Sequence, residues 1–290
     1  MRIKKVSFIG LGVMGYPMAG HLKNNNLEVT VFNRTGSKSK QWVEEFQGKK
    51  ANSPGEAAKN AEIIFICVGR DEDLREVMEG NDGILQNASE NTIIVDHTTA
   101  SAKIAREFNK KAKELDLFFL DAPVSGGQVG AENGKLSIMI GGDNEIFNAV
   151  EPILKSYGKT IELIGNSGSG QVAKMINQIC IAGLVQGLSE ALAFGKKSKV
   201  DMEKVLKVIS KGAAQSWQME NRYRTMLDGK FDYGFAVDWM RKDLSICFNE
   251  AKKNGASLPI TEIVDKYYEK VQKNGGNRLD TSSLMTLVDK

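Results

Sequence analysis

A glycine-rich turn near the amino terminus has the residue types and spacing that bind a pyrophosphate. Gly10-Leu11-Gly12-Val13-Met14-Gly15 follows an apolar run at 6–9 and precedes a helical pattern. Glycines in such a turn let the backbone approach a phosphate closely, and the amino terminus of the next helix attracts negative charge. A purely structural turn would have the same composition, but the order of strand, turn and helix favours a dinucleotide-binding motif. We therefore predict that all six residues contact a cofactor: Gly10, Leu11, Gly12, Val13, Met14 and Gly15.

The end of the second apolar run bears on the choice of nucleotide. A site for NAD usually has an acidic residue here that binds the ribose hydroxyls, whereas this chain has Asn33-Arg34-Thr35. A carboxylate would repel a 2′-phosphate, but a guanidinium binds it through paired hydrogen bonds. Alternatively, Arg34 is a solvated turn residue and Thr35 is a helix cap. The missing acid and the added base favour NADP(H), with NAD(H) as the alternative, and predict Asn33, Arg34 and Thr35 as contacts.

Two further predicted strands end in candidate cofactor contacts. An apolar run at 63–68 places Val68 at its carboxyl end, and a later run is followed by Asp96-His97-Thr98-Thr99. Ligands bind at the carboxyl ends of parallel strands, so Val68 and the two threonine hydroxyls could lie at the cofactor. Helix capping explains Thr98 equally well and Thr99 less well.

A third strand end leads into a loop that suits a carboxylate. Within Asp121-Ala122-Pro123-Val124-Ser125-Gly126-Gly127, Ser125 has a hydroxyl beside two sterically open backbone amides. An ordinary turn would explain the glycines, but less readily their position at the carboxyl edge of the sheet. We predict that Ser125, Gly126 and Gly127 bind the substrate.

A lysine in an apolar helical pattern is the strongest candidate for proton chemistry. Gln171, Lys174 and Asn177 recur every three residues and form one polar edge of a predicted helix. A lysine extending to solvent from an exposed face is the common alternative. Lys242, in a second helical segment at 239–244, makes a functional pair more plausible.

The segments that carry these motifs alternate between strand and helix. Apolar runs predict strands at 6–9, 27–32, 63–68, 92–95, 117–120, 136–140 and 160–164. Helical patterns lie between them at 38–46, 54–59, 71–79, 101–115 and from about 144. Continuous apolar strands that alternate with helices indicate a mainly parallel sheet covered on both faces. The predicted class is α/β, with a Rossmann-type, doubly wound sheet.

A cluster of helix and strand breakers divides the chain. Gly165-Asn166-Ser167-Gly168-Ser169-Gly170 follows the last predicted strand, and the apolar pattern then changes to helical spacing. We predict a dinucleotide-binding domain at 1–165 and an all-helical domain at 166–290, which begins with a long helix at about 171–197.

Composition argues against several other classes. The net charge of +3 is too small to indicate a nucleic-acid partner. With two histidines and three dispersed cysteines, we expect no metal site, reduced and buried thiols, and His97 as a bystander rather than a base. The amino terminus has no apolar signal region, and polar residues interrupt the most apolar stretch, at 176–194. These features predict a cytoplasmic protein with no membrane span.

Four motifs together resemble the β-hydroxyacid dehydrogenases, which include 3-hydroxyisobutyrate dehydrogenase, tartronate semialdehyde reductase and the glyoxylate/succinic semialdehyde reductases. The resemblance spans the whole chain and rests on Gly-Leu-Gly-Val-Met-Gly, Asp-Ala-Pro-Val-Ser-Gly-Gly, Gly-Ser-Gly-Gln-Val-Ala-Lys-Met-Ile-Asn and Lys-Asp-Leu, in that order. It implies that the long helix helps to build a homodimer or homotetramer. Asn33-Arg34-Thr35 resembles the NADPH-using semialdehyde reductase branch more than the NAD-using branch.

The resemblance also implies roles for individual residues. Lys174 would be the catalytic residue supported by Asn177, Ser125 to Gly127 would hold the substrate carboxylate, and Thr99 and Lys242 would lie at the cofactor. An ammonium at Lys174 can stabilise and protonate the oxygen that gains charge when a carbonyl accepts a hydride. For oxidation the same group must accept a proton, so we expect burial or Lys242 to lower its pKa. One departure from the family pattern is Gln178, where many members have a second asparagine.

The sequence therefore predicts an NADP(H)-dependent dehydrogenase or reductase of a short, carboxylate-bearing hydroxy acid or aldehyde. An NAD-dependent 3-hydroxyisobutyrate or serine-type dehydrogenase is the first alternative. A catalytically silent dinucleotide-binding scaffold or sensor is the second, and the presence of Lys174, Asn177 and Ser125 counts against it.

Overall fold

The computed structural model describes residues 3–289. The chain divides into two compact units, Met1–Lys174 and Met175–Lys290. This division falls inside a long helix, whereas the domain boundary predicted between 165 and 166 precedes that helix.

The first unit is built on a sheet of nine strands among the described residues. They are β1 (Lys5–Ile9), β2 (Glu28–Phe32), β3 (Lys49–Lys50), β4 (Ile63–Ile66), β5 (Ile93–Asp96), β6 (Phe118–Asp121), β7 (Val124–Ser125), β8 (Leu136–Gly141) and β9 (Gly158–Gly165). The order across the sheet is β3-β2-β1-β4-β5-β6-β8-β7, and β9 also pairs with β8. Strands β1 to β6 pair in parallel, while β8 runs antiparallel to β6 and β7.

Helices connect the strands and cover the sheet. They are α1 (Gly15–Asn24), α2 (Gly36–Phe46), α3 (Pro54–Ala58), α4 (Asp71–Glu79), α5 (Ala102–Lys113), α6 (Gly127–Glu132) and α7 (Asn144–Leu154), and α8 (Ser169–Lys197) follows β9. Ser53, Ser101 and Asp143 begin α3, α5 and α7 because their side chains accept hydrogen bonds from amides of the first turn.

Two apolar cores lie on the opposite faces of the sheet. Along β4, Ile63 and Phe65 belong to one core, and Ile64 and Ile66 belong to the other. Successive side chains of a strand point to opposite faces, so a strand covered on both sides must be apolar at every position. This is why the central strands read as unbroken apolar runs.

The predicted Rossmann-type α/β class is confirmed, and the predicted strands are present with ends shifted by one or two residues. Sequence analysis missed β3, β7 and α6. The two strands have two residues each, which is too short to show a periodicity. It also did not foresee the antiparallel direction of β8, because an apolar run has the same pattern in either direction.

The second unit is helical, as predicted. After α8 come α9 (Met202–Ile209), α10 (Trp217–Leu227), α11 (Val237–Asn254), α12 (Pro259–Lys273), a 3₁₀ turn at Thr281–Leu284 and α13 (Met285–Val288). Two apolar cores hold these helices together, one around Met240, Leu244 and Tyr268 and one around Leu206 and Met226.

Helix α8 is long and apolar enough to cross a membrane by length and composition alone, and half of its most apolar window is buried inside the protein. Ala182 and Leu192 on this helix are fully buried in the two cores of the second unit. A core helix of a globular protein has this character. Cys247 is buried as expected and Cys67 is half-buried, but Cys180 is exposed, so the expectation of three buried thiols is wrong for this last residue. Two helical positions before Ala182, it lies on the opposite side of α8.

Candidate active site

The glycine-rich turn between β1 and α1 has the geometry of a phosphate cradle. Gly10 has φ of +99°, and a Cβ there would lie 2.2 Å from the Cys67 carbonyl oxygen. A Cβ on Gly15 would lie 2.0 Å from the Gly10 carbonyl oxygen, whereas one on Gly12 would meet no atom within 4 Å. Packing therefore requires glycine at positions 10 and 15, while position 12 leaves open the space that a pyrophosphate needs. The turn fits a dinucleotide.

Asn33 joins this turn to the end of β2. Its Oδ1 accepts a hydrogen bond from the Leu11 amide at 2.8 Å, and its Nδ2 donates to the Thr35 carbonyl oxygen at 3.1 Å. Both ends of the amide thus hold the backbone of the predicted nucleotide site. Thr35 occupies the N-cap position of α2, but its side chain makes no capping bond.

A cavity of about 250 Å³ lies beside Arg34. It is lined by Phe32, Asn33, Arg34, Gly36, Ser39, Lys50, Ala51 and Asn52. The Arg34 side chain is 89% exposed and lies 3.3 Å from an Asp73 carboxylate oxygen. Ser39 is buried, and its Oγ has no hydrogen-bond partner among the described residues. Sequence analysis found Arg34 but missed Ser39, which reads as an ordinary helix residue, and Lys50, which the pairing of β3 with β2 brings to the cavity.

The threonines after β5 differ in their surroundings. Thr98 is buried, its Oγ1 accepts a hydrogen bond from the Val68 amide at 3.1 Å, and its own amide donates to Asp96 Oδ1 at 2.9 Å. Ser101, rather than either threonine, caps α5. Val68 and Thr99 are half-buried at the carboxyl edge of the sheet and stay candidate cofactor contacts.

The loop predicted to hold a carboxylate runs from the short strand β7 into α6. Ser125 pairs with Ser137 of β8 and is half-buried, and Gly126 and Gly127 are exposed. Both glycines have positive φ angles, +134° and +62°, which residues other than glycine rarely adopt. A Cβ on Gly127 would meet no atom within 4 Å, so its backbone amide is sterically accessible.

The start of α8 is anchored to the carboxyl ends of β5 and β6. Asp121 accepts hydrogen bonds from the amides of Gly168 at 2.6 Å and Gln171 at 2.9 Å. The Gln171 side chain donates to the Thr98 carbonyl oxygen at 2.7 Å and accepts from the Ala100 amide at 3.1 Å. Lys174 follows on the next turn and is only 8% exposed. These bonds hold the backbone before Lys174 against the sheet edge where ligands bind.

Asn177 belongs to a polar cluster within the second unit. Its Nδ2 donates to Gln178 Oε1 at 2.8 Å, and Gln178 Nε2 donates to Asp243 Oδ2 at 2.6 Å. Lys242 Nζ lies 2.9 Å from Asp243 Oδ1. Sequence analysis identified Asn177 and Lys242 but missed Asp243, which lies 65 positions after Gln178.

Three buried titratable groups at the sheet edge have shifted pKa values. Desolvation raises the pKa of Asp96 to about 7 and that of Asp121 to about 6, and it lowers the pKa of His97 to about 4. His97 contacts the Ala122 carbonyl oxygen through Nδ1 and the Tyr157 hydroxyl through Nε2. With both ring nitrogens engaged and the ring buried, His97 is a structural residue, as interpreted from the sequence.

The raised pKa of Asp96 predicts a measurable pH dependence of stability. A carboxyl whose native pKa lies above its ordinary value of 3.8 favours folding at low pH, and this contribution is lost as the pH rises through about 7. The Asp96→Asn variant lacks this term. Its free energy of unfolding minus that of the parent should therefore rise between pH 4 and pH 8, by up to about 1.4 kcal/mol per unit of pKa shift.

Urea unfolding of both proteins across this pH range measures that difference. His97 opposes the trend in the parent, since its contribution is present above its ordinary pKa of 6.5 and is lost as the pH falls through about 4. Because both proteins contain His97, its effect cancels in the difference. The exposed Asp116, already at a positive φ that asparagine tolerates, supplies the control Asp116→Asn. If the free energy of unfolding of each variant minus that of the parent were equally independent of pH, the result would contradict a protonated Asp96.

Comparison with known proteins places these features in a family. A family model described as the NAD binding domain of 6-phosphogluconate dehydrogenase matches residues 5–165. Another, described as NAD-binding of NADP-dependent 3-hydroxyisobutyrate dehydrogenase, matches residues 168–288. Both halves of the chain are thus matched.

Individual relatives match along the full chain. An uncharacterized oxidoreductase of Shewanella frigidimarina is 57% identical over 99% of this chain and 98% of the relative. The 2-hydroxy-3-oxopropionate reductase of Escherichia coli is 33% identical over 98% of this chain and 97% of its own. The structure of Mycobacterium tuberculosis 3-hydroxyisobutyrate dehydrogenase with L-serine superposes over 100% of both chains, with a TM-score of 0.89 and 25% identity. The chain therefore belongs to the β-hydroxyacid dehydrogenase family and is an NAD(P)-dependent oxidoreductase that acts on the CH–OH group of its donors.

Proposed function

We propose that the protein is an NADP(H)-dependent reductase of short, carboxylate-bearing semialdehydes, and the dehydrogenase of the matching hydroxy acids, with Lys174 as general acid and base. The observation that supports this most directly is the burial of Lys174 on a helix start anchored to the carboxyl ends of β5 and β6. A buried amine beside loops that are predicted to bind ligands is placed to exchange a proton with a substrate, which favours a catalytic role.

The chemistry follows from the charge that develops on the substrate. A nicotinamide cofactor held at the turn of Gly10, Gly12 and Gly15 would supply the hydride in reduction and accept it in oxidation. As the oxygen gains negative charge, the Lys174 ammonium stabilises it and donates a proton, which yields the hydroxy acid and a neutral amine. In oxidation the neutral amine takes the hydroxyl proton. Asn177 lies one turn later on α8 and supports Lys174 from the same helix.

The substrate class follows from the loop after β7. The Ser125 hydroxyl and the Gly126 and Gly127 amides are donors suited to a carboxylate, and both glycines are exposed. One relative is named for 2-hydroxy-3-oxopropionate, and the M. tuberculosis structure is described with L-serine. Both are small molecules with a carboxylate and a neighbouring hydroxyl group. This favours a short, carboxylate-bearing substrate here.

The preference for NADP(H) is supported by the cavity at the end of β2. Arg34 and Lys50 bring two positive charges to a pocket in which the buried Ser39 hydroxyl lacks a partner. Each of these groups can donate a hydrogen bond to a phosphate. No carboxylate lines this cavity among the described residues, although Asp73 pairs with Arg34 from outside it.

The direct test is the oxidation of NADPH and NADH with a panel of aldehydes. We expect turnover with at least one of glyoxylate, succinic semialdehyde, methylmalonate semialdehyde and tartronate semialdehyde, and a higher kcat/KM with NADPH. Propionaldehyde, which lacks the carboxylate, is the control and should react poorly. Faster turnover with NADH would support an NAD-dependent 3-hydroxyisobutyrate or serine-type enzyme. NADPH binding without turnover on any aldehyde would support the silent scaffold.

We also propose that the protein is a cytoplasmic homodimer whose interface includes α8. Ile176, Cys180 and Leu184 recur every four residues on this helix and are exposed, and Phe194 farther along is 75% exposed. Side chains four residues apart share one face, so these residues form an apolar stripe. Such a stripe fits a second copy of the same helix.

A charge placed in this stripe should separate the subunits. For Leu184→Glu we expect a dimer dissociation constant at least about tenfold higher than that of the parent, because a carboxylate would be buried in an apolar contact. Sedimentation velocity over a range of concentrations measures it. Leu115→Glu, on a residue of similar exposure in the first unit, is the control. A monomeric parent would contradict the dimer, and equal behaviour of both variants would place the interface elsewhere.

A further inference from the structure

The buried cluster at Asn177 contains an ordered chain of donors and acceptors. Gln178 and Asp243 are each 2% exposed. Gln178 stands between two partners, because its Nε2 donates to Asp243 and its Oε1 accepts from Asn177. The two bonds use opposite ends of one amide, so the orientation of Gln178 determines what it offers to each neighbour.

The direction of this chain is set at the Asp243 end. A carboxylate can only accept hydrogen bonds, and the other oxygen of Asp243, Oδ1, lies 2.9 Å from the Lys242 ammonium. Gln178 must therefore turn its NH₂ group toward Asp243 and its carbonyl oxygen toward Asn177. Asn177 must in turn direct its own NH₂ group at Gln178 and its oxygen the other way.

We infer that Asp243 and Gln178 are positioning residues that make Asn177 present a hydrogen-bond acceptor on the face of α8 that carries Lys174. This inference rests on the proposed function, in which Asn177 supports Lys174 one turn earlier on α8. An acceptor oxygen there suits an ammonium or a substrate hydroxyl, whereas an NH₂ group in the same place would compete with the ammonium. Gln178 stands where many family members have a second asparagine, and here its side chain bridges Asn177 and Asp243.

The sharpest test reverses the order of donors and acceptors in this chain of hydrogen bonds. In Asn177→Asp, two carboxylates flank one amide, so one of the two contacts must set acceptor against acceptor. Adding Asp243→Asn relieves this conflict, because the new amide can donate to Gln178 Oε1 while Gln178 Nε2 donates to the new carboxylate at position 177. We expect the acceptor–acceptor contact to displace the side chain at position 177 from Lys174. The kcat at each variant's pH optimum should therefore fall about 100-fold in Asn177→Asp and recover about tenfold in the double variant, the scale of one charge-assisted hydrogen bond.

The double-mutant cycle at positions 177 and 243, repeated in a Gln178→Met background, tests whether Gln178 couples these two residues. Methionine is similar in length but cannot relay donor and acceptor character, so the coupling between positions 177 and 243 should disappear. NADPH affinity should stay within about twofold in the single variants at positions 177 and 178, since neither residue is a predicted cofactor contact and Asn177 acts on the chemical step. A purely structural role would lower stability in each variant without this pattern in kcat.

A second pair covers the case in which Asn177→Asp does not fold. Gln178→Glu sets two carboxylates against each other, and Asp243→Asn should rescue it, because a glutamate at position 178 can accept from both neighbours while Asn177 keeps its orientation. Additive effects in both cycles, or coupling that survives Gln178→Met, would overturn the inference. If Lys174→Ala retained full activity, the proposed function would fail instead, so the two failures are distinguishable.

Discussion

Replacement of Lys174 by alanine is expected to lower kcat by about 10²–10⁴-fold, the range contributed by a positioned general acid or base. The residue is buried, and Asp121 and Gln171 hold the helix start before it in place, so no mobile neighbour is expected to substitute for it. NADPH binding should survive, since Lys174 is not among the predicted cofactor contacts. Steady-state rates together with fluorescence titration of NADPH measure both quantities.

Two further variants sharpen this result. Lys174→Arg keeps the positive charge but cannot release a proton near neutral pH, so it should retain NADPH binding and lose most turnover. Lys197→Ala, at the exposed end of the same helix, is the control and should behave as the parent does. Full activity in Lys174→Ala would falsify the assignment of the general acid. Loss of NADPH binding together with activity would instead indicate that the variant disturbs the fold.

The second large effect is expected at Arg34. In Arg34→Ala the KM for NADPH should rise about 10–100-fold, which corresponds to the roughly 1.5–3 kcal/mol typical of hydrogen bonds to charged groups. The KM for NADH should change little, because NADH has no 2′-phosphate. The kcat with saturating NADPH should be nearly unchanged, since Arg34 would bind the ground state and the transition state equally.

Controls at Arg34 separate a specific contact from a general effect of charge. Lys40→Ala removes one exposed positive charge from α2, the helix that follows Arg34, and should leave both KM values unchanged. Lys50→Ala should raise the KM for NADPH alone, because Lys50 lines the cavity beside Arg34. Parallel increases for NADPH and NADH in Arg34→Ala would show that the residue acts on the fold of the site rather than on the phosphate.

Most of the first unit could be predicted from the sequence because its signals are local. Gly10 and Gly15 occupy positions where the packed backbone leaves no room for a side chain, and the unbroken apolar runs of β4 and β5 indicate burial on both faces. The helix starts at Ser101 and Asp143 are signalled by capping residues within the first turn. Each of these depends on a window of a few residues.

The partners of the candidate catalytic residues could not be predicted in this way. Asp121 was placed in a substrate loop by its motif, but its carboxylate anchors α8 through Gly168 and Gln171, 47 and 50 positions later. Nothing in the pattern around Asp121 distinguishes a helix anchor from a ligand contact. The same holds for Ser39, whose buried hydroxyl reads as an ordinary helix residue in the sequence.

Local sequence signals predict the order of strands and helices, the glycine-rich turn, the type of residue at the end of β2 and the lysine on the long helix. Backbone sterics and periodic burial act over short distances along the chain, and so they leave a readable pattern. The antiparallel direction of β8, the cavity beside Arg34 and the hydrogen-bond chain from Asp243 through Gln178 to Asn177 depend on the folded structure. A hydrogen bond depends on the three-dimensional position and orientation of both partners, and for residues 65 positions apart only the packed fold sets these.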